Sequence, residues 1–138
     1  MTGMTDEERY AAGMGVRRTV LGDAWVDRAT ARIRSYSKEF QDLITRYAWG
    51  EIWTRPRFDH RTRRVLVIGT TLALGRWEEF RLHVGAALRS GEFPLDDVTE
   101  VILQQAIYCG VPASNTALHH VGEVIAQLKA EGIDVPGA

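Results

Sequence analysis

The sequence predicts an all-α protein, and three observations carry that reading. Apolar residues recur at spacings of three and four, as in Phe40, Leu43, Ile44, Tyr47 and Ala48, and again in Val65, Ile68 and Leu72. No stretch alternates apolar and polar residues for long enough to build a sheet. Glycine and proline punctuate the gaps, at Gly22, Pro56, Gly75, Gly91, Gly110 and Gly132, where helices end and restart. The expectation is one domain over residues 1–138, a bundle of about six helices joined by short turns.

In chain order, residues 5–20 read as an amphipathic helix weakened by Gly13 and Gly15. Asp23 is placed to cap a short helix ending near Ala31, and Ser37 to cap the next. That third helix carries on towards Trp53 until Thr54-Arg55-Pro56 stops it. Asp59 then caps a helix of about fifteen residues, in which Gly69 predicts close approach of another backbone. A helix over Arg76–Arg89 follows Gly75 and is closed by Gly91. Pro94, Asp96 and Asp97 suit the start of another, with Val98, Ile102 and Ala106 on its buried face. After Gly110-Val111-Pro112 a last helix runs to about Ala130.

Composition narrows the function classes. The chain has 45% hydrophobic and 25% charged residues, ordinary values for a globular protein with one core. Its 17 basic and 18 acidic side chains nearly cancel, and no basic tract interleaves with aromatics, which speaks against a nucleic-acid partner. No apolar run has the length of a membrane span. The stretch Met1 to Arg9 lacks a basic segment followed by an apolar one, so no membrane partner and a cytoplasmic location are expected. Cys109 is the only cysteine, which rules out an internal disulfide or a CxxC site and suits a small buried hydrophobe.

Chemistry concentrates in Arg76-Trp77-Glu78-Glu79-Phe80-Arg81-Leu82-His83. On a helix, Arg76, Glu79 and His83 share one edge, with Phe80, Val84, Ala87 and Leu88 packing beside them. A Glu one turn before a His can fix its ring and stabilise the imidazolium, making a proton carrier near neutral pH. The same spacing also describes an ordinary solvated pair. His119 and His120 lie on the last helix, and adjacent residues diverge by about 100°, so at most one faces inward.

Further motifs bring a family into view. Ile44-Thr45-Arg46-Tyr47-Ala48-Trp49-Gly50-Glu51-Ile52-Trp53-Thr54-Arg55-Pro56, Asp59 to Leu66, Glu79 to Val84, and Ala106-Ile107-Tyr108-Cys109-Gly110-Val111-Pro112-Ala113 together resemble the carboxymuconolactone decarboxylase family. The resemblance spans about Arg18 to Leu128. It extends in helical architecture to the alkylhydroperoxidase D proteins, whose C-x-x-C-x-x-x-H cysteines fall on Arg76 and Glu79 here. Without those thiols, peroxide reduction through a disulfide cannot run at this site. Two positions depart from the pattern: Arg57 stands where a glycine is expected, and Arg64 where a small residue is expected.

The resemblance implies cofactor-free and metal-free decarboxylation of 4-carboxymuconolactone, a lactone dicarboxylate, in protocatechuate breakdown by the β-ketoadipate route. It also implies a homo-oligomer, a hexamer such as a trimer of dimers. His83 would serve as oxyanion donor or proton source, in the imidazolium form and oriented by Glu79. Arg63, Arg76 and Arg55 are the candidates for the substrate carboxylates, with Trp53, Tyr108 and His119 as further pocket residues. Trp49 and Glu51 read as structural. Two other readings stay open: a relative acting on another lactone or keto acid, with Arg57 and Arg64 shifting selectivity, and a non-catalytic helical assembly module.

Overall fold

Thr5 starts the first helix by accepting a hydrogen bond on its Oγ1 from the Glu8 amide, at 3.1 Å. Three acidic residues in the first turn suit the positive end of the helix dipole. A computed structural model of the chain describes residues 3–138, so Met1 and Thr2, part of the segment inspected for a leader, lie outside it. The helices are α1 (Asp6–Leu21), α2 (Asp23–Ala31), α3 (Lys38–Ile44), a π-helix (Thr45–Ile52), α4 (His60–Leu74), α5 (Trp77–Ser90), α6 (Leu95–Cys109) and α7 (Val111–Ala130). Among the described residues no strand occurs, so the all-α reading stands, and no helix is long and apolar enough to cross a membrane. The chain divides into two compact units, one ending at His60 and one running Arg61–Ala138.

In the first unit, α1 packs on the π-helix with almost no space between backbones. A Cβ built on Gly13 would lie 2.0 Å from the Thr45 carbonyl oxygen, and one on Gly50 would lie 2.3 Å from the Arg9 carbonyl oxygen. Arg9 Nε donates to Glu51 Oε2 at 2.8 Å and ties the same two elements. Several local expectations change here. Gly22, not Asp23, takes the cap position of α2 with φ 91°, and Asp23 pairs with Arg18. Ser37 gives α3 no side-chain cap, because its hydroxyl is occupied by Arg34. The helix expected to run unbroken to Trp53 widens instead into π turns, with Trp53 N donating to Ala48 O at 3.0 Å across five residues. Phe40, Leu43 and Tyr47 of the periodic stripe are exposed.

The second unit has a continuous apolar core. Ile68 and Leu72 of α4 meet Phe80, Val84 and Ala87 of α5, Val98 and Ile102 of α6, and Val121, Val124 and Leu128 of α7. Ser114 Oγ donates to Ile102 O at 3.0 Å and joins the start of α7 to α6. Gly69 does face a close neighbour, but it is a side chain and not a backbone: Gln105 Nε2 donates to Gly69 O at 3.1 Å. Pro94 takes the cap position just before α6. Gly75 and Gly91 end their helices at φ 66° and 73°, a region glycine enters without strain.

The two glycines of α1 should therefore respond oppositely. Gly13→Ala forces two backbones apart and should lower the unfolding free energy by about 2 kcal/mol or more. Gly15, with nothing within 4 Å of its built Cβ, should gain up to about 1 kcal/mol as alanine. Thermal or urea unfolding of the two variants measures both, and equal effects would contradict the packing described.

Candidate active site

Helix α5 begins at a tight corner. Gly75 turns the chain, Arg76 N donates to Thr71 O at 2.8 Å, and Phe80 N donates back to Arg76 O at 2.9 Å. From that start, Phe80, His83, Val84 and Ala87 fall on the buried side of the helix. His83 is thus carried inward by its apolar neighbours and is only 7% exposed. On α4, Arg64 occupies the same buried stripe as Ile68, Thr71 and Leu72, at spacings of four and three, and is 6% exposed. The two polar side chains come close enough to interact electrostatically.

That interaction sets the charge state. Burial, and after it the positive Arg64, pushes the His83 ring down to about 4 from its ordinary 6.5. Burial also lowers the Arg64 guanidinium, while Glu92 acts the other way, and an arginine so placed stays charged at neutral pH. The cation of the site therefore sits on Arg64 and the imidazole is neutral. Where an imidazolium oriented by Glu79 was expected, the Glu79 side chain is exposed, and it is not among the causes of the ring's shift.

The other expected site residues are spread out. In the second unit, Arg63 is half-buried beside Arg64 on α4, and Arg76 is exposed at the cap of α5. Tyr108 and His119 are both exposed. His120, not His119, is the engaged member of its pair. Its ring stacks on Trp77 at 4.9 Å, its Nδ1 accepts from Arg81 at 3.3 Å, and Arg81 also pairs with Glu123. This clasp joins α5 to α7. Cys109 is half-buried against the apolar core.

In the first unit, Trp53 is half-buried with its ring 5.0 Å from Trp49 and 6.1 Å from His60, and Arg55 is exposed. Glu51 holds Arg9, in line with its structural reading. Among the described residues no three His, Cys, Asp or Glu side chains gather as a metal-holding group. The residue that sequence reasoning undervalued is Arg64. Its signal was its place one turn before Ile68 on the apolar stripe.

Comparison with known proteins agrees with this frame. The model of the carboxymuconolactone decarboxylase family matches residues 38–123, more than half of the chain. A 4-carboxymuconolactone decarboxylase of Acinetobacter baylyi is 42% identical over 125 residues, covering 91% of this chain and 92% of that protein. A nitrosuccinic acid decarboxylase of Metarhizium robertsii is 35% identical over 109 residues, covering 79% of this chain and 76% of that protein. A 48-residue sequence of a Pseudomonas putida 4-carboxymuconolactone decarboxylase is 52% identical along its full length, which covers 35% of this chain. With a family match across both α4 and α5 and a relative aligned nearly end to end, this chain belongs to the carboxymuconolactone decarboxylase family.

Proposed function

We propose that this chain is a carbon–carbon lyase that converts 4-carboxymuconolactone into the enol-lactone of 3-oxoadipate in protocatechuate breakdown. The observation that carries the reading is His83, a buried and uncharged imidazole on the E-x-x-x-H helix, in a chain 42% identical to a decarboxylase of that name. In this substrate the ring carboxylate is conjugated, through the ring double bond, with the lactone carbonyl. The bond to the carboxylate breaks, CO2 leaves, and the electron pair moves to the carbonyl oxygen to give a furan-like dienolate. A proton then adds to a ring carbon. The lactone is its own electron sink, so the reaction as written calls for no added cofactor.

The protein's task is to meet the charge that grows on the carbonyl oxygen. A neutral imidazole N–H is a suitable donor for that purpose, because its pKa is held low and the ring acts as an electrophile. A ring uncharged down to about 4 is better suited to donating a hydrogen bond than to storing a proton. Among the arginines, half-buried Arg63 is our choice to grip the acetate arm, with exposed Arg76 guiding the dianion inward. An arginine clamped on the departing carboxylate would stabilise the ground state and slow the reaction.

Homo-oligomerisation belongs to the same reading. Leu103, Ile107, Tyr108 and Val111 are 64%, 80%, 77% and 70% exposed on the end of α6 and the start of α7. An apolar stretch of that kind is better covered than wetted, and a further copy of the chain in a hexamer would cover it.

Purified protein, with no metal or cofactor added, should release CO2 from 4-carboxymuconolactone. His83→Ala should fold and lose about a hundred- to a thousandfold in kcat, the usual effect of removing one oxyanion donor. Full activity in that variant would remove His83 from the mechanism, and turnover of nitrosuccinic acid in place of the lactone would move the substrate while keeping the reaction class. Ile107→Glu should shift the protein to smaller species in sedimentation velocity, whereas an unchanged distribution would acquit that face.

The charge state of His83 also has a stability readout. The folded ring binds its proton at about 4 and the unfolded ring at 6.5, so between those values the unfolded chain holds more protons. Stability is then full above 6.5 and falls as the pH drops towards 4, by on the order of 3 kcal/mol from this group. Urea unfolding at pH 7 and pH 4.5 should show the loss in the native protein and a smaller one in His83→Gln.

A further inference from the structure

We propose that His120 is a positioning residue for the decarboxylation: held by Arg81 and stacked on Trp77, its ring fixes the rotation of α5 about its own axis and thereby the aim of the His83 imidazole. The proposal rests on the decarboxylase reading above and adds to it a residue on α7. Two contacts converge on the His120 ring from α5, one turn apart. Its centroid lies 4.9 Å from that of Trp77, with 18° between the planes. Its Nδ1 stands 3.3 Å from Nη1 of Arg81. Trp77 in turn meets Phe80 edge-on at 5.4 Å, and Phe80 is fully buried one turn before His83 and Val84.

The identity of the donor decides the tautomer. An arginine stays protonated and its nitrogens only donate, so Nδ1 of His120 must offer a lone pair. The ring proton then sits on Nε2. Nη1 of Arg81 carries two hydrogens, and its two partners, His120 Nδ1 and Glu123 Oε2, take one each. His120 and Glu123 lie three residues apart on α7 and so share a face of that helix. Arg81 therefore closes on two side chains of one face, while Trp77 bears on the ring of the first.

Stability alone is a poor account of this arrangement. The Arg81 and Glu123 side chains are 36% and 62% exposed, and ion pairs so wetted add little to folding. The apolar core already presses α5 on α7 through Phe80, Val84, Val121 and Val124. Such packing fixes that two helices touch more firmly than how far one is rolled against the other, and directional contacts supply the second. A roll of α5 by about 20° would carry an atom about 5 Å from the axis through about 2 Å, enough to take a donor out of line. His83 lies two residues from Arg81, about 3 Å along the axis, so the clasp acts close to the ring it aims. The far end of α5 offers a contrast: Arg89 binds both carboxylate oxygens of Glu131, at 3.1 and 2.9 Å, six residues past His83.

The tautomer is tested by nitrogen NMR of the ring in the ligand-free protein, which needs no turnover. At pH 7.5 His120 should show Nδ1 bare and Nε2 protonated, and the opposite tautomer or an average of the two would overturn the proposal. His120→Phe keeps a ring on Trp77 and removes the acceptor, whereas His120→Asn sets an oxygen near the place of Nδ1. In turnover, His120→Phe should lose about tenfold or more in kcat with KM changed less than about threefold, since a misaimed donor is felt in the transition state. His120→Asn should come within about threefold of the native kcat. The His83 ring signals should move in His120→Phe and return in His120→Asn. Arg89→Gln cuts the ion pair at the far end of α5 and should leave kcat and those signals near native.

A merely structural His120 would affect kcat no more than Arg89→Gln does and would show no return with asparagine. Either result overturns the proposal, as does a native kcat in His120→Phe. Should His120→Phe fail to fold, Arg81→Met cuts the same bond from the other side and is read the same way. Failure of the native protein to release CO2 from the lactone would instead sink the decarboxylase reading, leaving the tautomer and the His83 signals to decide what His120 does to α5.

Discussion

The withdrawal of one imidazole and one guanidinium from water is the constraint on which the second unit turns. His83 and Arg64 are each less than a tenth exposed. Both stand on helices whose other inward residues are mostly apolar, with Thr71 of α4 an exception. Burying either group costs several times what one apolar contact returns, so the arrangement lowers stability unless chemistry needs it. Apolar packing supplies the compensation. Phe80 and Val84 flank His83 on α5, Ile68 and Leu72 follow Arg64 on α4, and none of the four is more than 1% exposed. The core holds the pair in place, and the pair gives the core a polar seam.

Charge placement then decides which chemistry suits the seam. An imidazolium would combine donor and cation in one ring, and its charge would be present in every state of the substrate. A division of the two functions, with a neutral N–H as donor and the charge held elsewhere, keeps the donor directional. Preorganised dipoles and charges of that kind need no rearrangement as the oxyanion grows, which is where electrostatic catalysis gains most. The low proton affinity of His83 is consistent with this division.

Much of the helix pattern was legible in the sequence, and the reasons differ by element. Gly75, Gly91 and Gly110 marked helix ends because a positive φ is a local property, and all three adopt one. His83 stood out in the sequence as a candidate, and its burial follows from the period of Phe80, Val84 and Ala87. The charge state was not legible. Spacing places Glu79 one turn from the ring but says nothing of the water around that carboxylate. The same blindness hid Arg64, whose residue type argued for the surface while its position on the stripe argued for the interior. The π-helix was beyond sequence reach for another reason: Gly13 and Gly50 look like weak points until α1 and the π-helix meet backbone to backbone. Tyr108, read from its motif, and His119, read from its place on the last helix, both lie exposed, since neither motif nor sequence order fixes the side a residue faces.

Depth separates the arginines into different physical tasks. An exposed guanidinium such as that of Arg76 works in high dielectric, where a unit charge at about 4 Å is worth about 1 kcal/mol. It can draw an anion towards the protein, yet it treats substrate and transition state almost alike, because water screens the shift of charge from one oxygen to another. Arg64 is shielded from that screening. At an effective dielectric of about 20 the same charge and distance give about 4 kcal/mol, so moving an electron pair nearer to or farther from the guanidinium changes the energy appreciably. Only a group in that second condition can distinguish a carboxylate about to leave from an enolate oxygen about to form. Arginine content alone therefore says little about a site's chemistry, and the depth at which the fold sets each arginine says much more.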